Sequence, residues 1–88
     1  MKLARLLQQL KERAGVELAE ERSHPDGTKV FILKGRLTIF PHGSRPTWYP
    51  LTLKEGEDEV SKREIGAILR HFWHAELEDD FFADEARN

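Results

Sequence analysis

The chain has 88 residues, 39% hydrophobic and 34% charged, with no cysteine. That length suits a single domain, 1–88, with a small core, and the absence of cysteine excludes a disulfide framework or a thiolate metal site. The longest apolar run, Val30 to Leu33, falls far short of the about 20 residues of a membrane helix, and Met1 to Arg5 lack a signal-peptide block, so a cytoplasmic protein without membrane contact is expected.

Leu3, Leu6, Leu7 and Leu10 follow helical spacing and Ala14 continues the stripe, which predicts a helix over 2–14 that stops at Gly15. Val16 to Glu20 alternates apolar and polar and reads as a first strand. His24-Pro25-Asp26-Gly27 is a turn: proline presets its first φ, aspartate bonds the local backbone and glycine tolerates positive φ. Lys29 to Lys34 reads as a central strand because it is apolar on both faces. Gly35 then suggests a second tight turn, Arg36 to Phe40 a third strand, and Pro41 its end. Thr47 to Leu53 fits either a short edge strand or an ordered loop.

Ser61 and Glu64 have capping-box spacing and open a helix with Ile65, Ile68, Leu69 and Phe72 on one face, Trp73 beside them, and an end near Ala75. A short acidic helix over about 77–86 would bury Leu77 and Phe81. The fold class is therefore α+β: α-β-β-β-α, a three-stranded antiparallel sheet packed on two helices, with a short acidic helix at the C-terminus.

Charge is unevenly spread. Residues 1–54 sum to +5 and residues 55–88 to −7. Gly27 to Lys54 holds Lys29, Lys34, Arg36, Arg45 and Lys54 and no acid. Such a stretch attracts a polyanion even in a slightly acidic chain. Lys62 and Arg63 stand at a helix start, where backbone N–H groups also favour phosphate. Trp48 and Tyr49 are candidates to stack on an unpaired base. His71 and His74 lie at i, i+3 on a helix with Glu78 one turn on, a spacing that could bind a metal, but no third ligand is fixed by the sequence, so neither a metal nor a cofactor is expected.

The order of these pieces resembles the HicA toxins, mRNA interferases with a fold like that of double-stranded-RNA-binding domains. The resemblance runs over about 3–75. It rests on Gly15-Val16-Glu17-Leu18, Ser23-His24, Leu37-Thr38-Ile39-Phe40-Pro41-His42-Gly43 and Ile68-Leu69-Arg70. Arg22 stands where the family usually has glycine, and an alignment on the strand puts Lys29 in place of the catalytic histidine.

The resemblance implies an RNA-binding toxin that cuts RNA without a metal, checked by a HicB-like protein antitoxin. It implies His24 as the catalytic residue, with His42 as the alternative. A neutral imidazole can take the proton of a ribose 2′-OH, while nearby cations steady charge growing on the phosphate. Lys29, Lys34, Arg36, Arg45, Lys62 and Arg63 are the RNA-binding candidates. A non-catalytic nucleic-acid-binding module, or a protein-interaction domain using the acidic C-terminal helix, is the alternative.

Overall fold

The structure, a computed structural model, describes residues 1–39 and 43–86; for 37–39, 44 and 84–86 it describes the backbone alone. Helix α1 (Leu3–Gln9) runs into a π-helical turn, Leu10–Ala14, and ends at Gly15 with φ +66°. Three strands follow: β1 (Glu17–Ser23), β2 (Thr28–Ile39) and β3 (Gly43–Lys54). They form one antiparallel sheet in the order β1-β2-β3. Helix α2 (Lys62–His71), a 3-10 turn at Ala75–Leu77 and α3 (Glu78–Ala86) complete the chain. The expected α-β-β-β-α order and sheet are therefore present, with helices before and after the strands.

The strand boundaries differ from the expected ones. Gly35 makes no turn. β2 runs straight through it, pairing Lys34 with Trp48, Gly35 with Thr47 and Arg36 with Pro46. The third strand is not Arg36 to Phe40 but the segment whose two prolines obscured it. The reason Gly35 is glycine is packing: a Cβ there would lie 2.8 Å from Phe72 Cδ1 and 3.1 Å from Val16 Cγ2. Glycine in a strand lets another group approach the backbone closely, and here that group is a buried ring. Phe40, Pro41 and His42, between β2 and β3, lie outside the described residues, so the expected end of a strand at Pro41 falls there too.

Burial alternates along β2 as a pleat requires. Phe31, Leu33 and Gly35 are buried, whereas Lys34 and Arg36 are exposed and Val30 and Ile32 half-buried. The buried side meets Leu51 of β3, Leu6 and Leu10 of the first helical segment, Ile65, Ile68 and Leu69 of α2, then Phe72 and Phe81, in one core. β1 contributes almost nothing, since every residue in it is exposed. Its alternation is broken by a bulge between Leu18 and Glu20, which turns Glu21 to the side where an apolar residue would be buried.

The ends of the helices are tied down by polar contacts. Lys2 bridges to Asp58, and Leu3 N donates to the Asp58 carbonyl at 2.6 Å. The Ser61 hydroxyl accepts from Glu64 N at 3.2 Å, as a cap should. The Glu64 carboxylate instead accepts from the Tyr49 hydroxyl at 3.1 Å, so this helix start is joined to β3. α3 lies back along α2: Arg70 bonds Glu78 at 3.1 Å beside Gly66, and the Lys62 ammonium stands 5.6 Å from the Phe82 ring centre.

Gly35→Ala is expected to lower stability by about 1–3 kcal/mol through overpacking against Phe72. The measurement is a urea titration, where the midpoint falls and the slope holds. A midpoint equal to that of the parent protein would mean that the chain bends at Gly35 after all.

Candidate nucleic-acid interface

The sheet separates the candidate residues into two groups. Ser23 pairs with Lys29, so the His24 turn and Lys29 lie at one end of the ladder. Lys54 pairs with Thr28 at the same end, and Glu55 N donates to the Gly27 carbonyl at 2.7 Å. The loop that follows leads past Met1 and Lys2 to Lys62 and Arg63. Lys34, Arg36 and Arg45 lie toward the other end. Lys29 and Arg36 are seven positions apart on β2, roughly 23 Å at about 3.3 Å per residue. His24 and the Arg36 group therefore do not form one site.

At the first end the turn is built as its residues predict. Gly27 N donates to the His24 carbonyl at 3.2 Å, with Gly27 at φ +87°, and His24 N donates to the Thr28 carbonyl. The Thr28 hydroxyl and N–H both donate to the Asp26 carboxylate, which holds it below the usual carboxylate range. The His24 side chain is exposed. Lys29 bonds Glu21 at 3.4 Å. Glu55, Glu57, Asp58 and Glu59 occupy the neighbouring loop, all exposed. Lys62 and Arg63, also exposed, adjoin this acidic loop. A polyanion approaching here meets both signs of charge.

The second end is different. β1 begins at Glu17, opposite Lys34, so beyond Lys34 the sheet narrows to a two-stranded ribbon. That ribbon carries Arg36 and Arg45, both exposed, and no acidic residue. Arg36 shares the open side of the sheet with Lys34 and Trp48, while Arg45 falls on the opposite side by the pleat. At the foot of the ribbon the Lys34 ammonium stands 5.8 Å from the Trp48 ring centre. Trp48 is 50% exposed. Lys34, Gly35 and Arg36 line a shallow depression of about 270 Å³ with Gly15 and Glu17, the nearest acid. Farther along the open side, Glu20 is bonded by Arg22 at 2.9 Å and held below its usual range.

Neighbouring side chains fix this end. His71 Nε2 lies 2.8 Å from the Trp48 carbonyl oxygen. Its ring meets those of Tyr49 and Phe72 edge-on, both at 5.1 Å. Tyr49 is half-buried and belongs to the core side, so of the two aromatics expected to stack on a base only Trp48 is presented on the open face. His74 bonds Glu76 at 3.4 Å, and no group of three or more potential metal ligands occurs among the described residues. His42 lies outside the described residues. No helix among the described residues is long and apolar enough to cross a membrane.

No family model matches the chain, and no curated protein and no solved structure matches it. What the site does must be argued from its own chemistry.

Burial, and then the hydrogen bond and charge of Glu64, push the Tyr49 hydroxyl above the ordinary tyrosine value. The folded state therefore holds this proton more tightly than the unfolded chain. Its stabilising share is fully present below about pH 10 and is lost as pH rises through the raised value. The chain has one tyrosine, so ultraviolet titration reads it directly. Ionisation is expected later than in a free tyrosine, and Glu64→Gln should bring it back only in part, because burial persists.

Proposed function

We propose that the chain is an RNA-binding module that grips the phosphate backbone with the β2–β3 ribbon through Lys34, Arg36 and Arg45. The observation that carries this reading is the acid-free ribbon extending past the end of β1, with its arginines exposed on both sides. A narrow two-sided cationic arm can enter a groove or lie along a strand, whereas cations mixed with acids attract phosphate weakly. The aromatic ring at its foot favours nucleic acid over a simple polyanion.

The toxin activity expected from the HicA resemblance is a further step of the same reading. His24 stands roughly 20 Å or more from the ribbon cations, with its side chain in solvent and Lys29 engaged by Glu21. RNA bound on the ribbon would leave that histidine without the cations its chemistry needs. The binding-module reading is accordingly preferred to the endoribonuclease; a HicB-like antitoxin, expected to cover the basic face, would then block RNA binding on the ribbon and not a catalytic step.

The test is fluorescence anisotropy with labelled RNA over a range of salt. Affinity should fall steeply with salt. Arg36→Ala and Arg45→Ala should each weaken binding and reduce the logarithmic salt slope by up to about one. Lys62→Ala should do neither. Gel analysis of the same RNA in chelator tests the hydrolytic step: cutting that His24→Ala abolishes would restore the endoribonuclease reading, and intact RNA with both proteins supports the module. Absence of binding at low salt would overturn the RNA reading.

A further inference from the structure

Trp73 occupies a position that backbone physics reserves for glycine. α2 ends in a complete Schellman motif: His74 N donates to the Leu69 carbonyl at 2.7 Å, and Trp73 N to the Arg70 carbonyl at 3.1 Å. The residue between the helix and the closing bond takes left-handed φ, here +60°. Among the described residues it is the one non-glycine with positive φ, and it carries the bulkiest side chain. Left-handed backbone is costly for a large residue, and burial does not repay it, because Trp73 is 64% exposed. A strained, solvent-facing aromatic points to a surface role.

Its position says what that role is. Trp73 follows His71 by two residues, and His71 is the side chain that reaches the β3 edge to hold the Trp48 carbonyl. Trp48 and Trp73 are the two most exposed large apolar side chains among the described residues; His71 ties their segments together at the foot of the cationic ribbon, with Trp48 on the open face of the sheet and Trp73 just past the end of α2. Exposed flat rings on two adjoining segments, one of them beside lysine and arginine, suit the alternation of base and phosphate in an unpaired strand. A paired duplex keeps its bases stacked inside and would leave both rings idle.

We propose that Trp48 and Trp73 form a stacking surface around the β3 edge for single-stranded RNA, whose phosphates continue onto Lys34 and Arg36. This rests on the RNA-binding reading and adds the form of RNA that the site selects. Trp73 sits where stability alone would not keep it, and the charge beside Trp48 selects a polyanionic occupant over an apolar peptide.

The experiment compares an unpaired oligoribonucleotide with a hairpin duplex of the same composition at low salt. The unpaired strand should bind more tightly and quench the fluorescence of the two tryptophans. Trp48→Ala and Trp73→Ala should each weaken it by roughly five- to 150-fold and leave the duplex nearly unchanged. Trp48→Phe should keep most of the affinity. Trp73→Gly should lose binding as Trp73→Ala does, yet unfold at a higher urea concentration than Trp73→Ala, which shows that folding is intact. Equal binding of both RNA forms, untouched by the tryptophan variants, would overturn the stacking surface and leave the ribbon reading standing. If neither RNA binds and the tryptophan variants instead abolish self-association in sedimentation, both readings fall and the rings are a protein contact.

Discussion

The contact between the Phe72 ring and the bare backbone at Gly35 is the constraint on which the rest of the structure depends. It lets α2 lie close to the middle of β2, so that strand continues unbroken beneath the helix and out past it. With any side chain at that point, the helix would lift or the strand would bend. Lifting α2 would also draw His71 from the Trp48 carbonyl and Tyr49 from Glu64, since both bonds bridge the same helix to β3. One missing Cβ thus sets the length of the ribbon and the seat of the aromatic cluster together.

A sheet of three strands has two exposed edges, and each is an invitation to aggregate. This chain blunts them by different means. His71 bonds the Trp48 carbonyl, so Trp48 is a position whose backbone points away from β2. Pro46 and Pro50 lie two residues to either side and share that orientation, which removes two of the outward N–H groups a further strand would use and leaves that of Trp48 isolated between them. β1 instead carries Glu17, Glu20, Glu21 and Arg22 and a bulge. The Leu18 side chain is 40% exposed there, beside Leu7 and Lys11, but its surroundings are charged and the strand is irregular.

How far these features were legible in the sequence depends on the ambiguity of each residue type. The two long amphipathic helices were readable because Leu6, Leu10, Ile65, Ile68, Leu69 and Phe72 bury as their spacing predicts. The His24 turn was readable because proline, aspartate and glycine each act locally. Gly35 was misread because glycine serves turns and close approaches equally, and what distinguishes them is a ring 37 positions away in the chain. β3 was half-read for a related reason: proline argues against a strand unless the strand is an edge, and edge status is a tertiary fact. Trp73 reads as a helical residue beside the apolar stripe, in a helix reaching about Ala75, because periodicity ignores the left-handed turn that ends α2 at His71. The charge asymmetry was visible, but which cations share a surface was not, since register and pleat decide that.

The division of the cations has a physical logic. At the His24 end, acids and bases neutralise one another: Lys2 with Asp58, Lys29 with Glu21, the amino terminus with Glu59. The Lys2 and amino-terminal pairs close the loop 55–60 onto the start of α1, the Lys29 pair joins β2 to β1, and an exposed pair contributes little to stability individually while cancelling the field around it. At the ribbon end few such partners exist, so Arg36 and Arg45 project an uncompensated field into solvent. Mutual repulsion there is tolerable only because the ribbon is narrow and hydrated, and because the Lys34 ammonium rests over the electron-rich face of Trp48. A chain with a net charge of −2 thereby keeps a local cationic surface that can attract an external polyanion. Binding at such a surface needs no change in fold. The proposed RNA binding would exchange condensed counterions and the covering lysine for phosphates, and free the tryptophan face for a base.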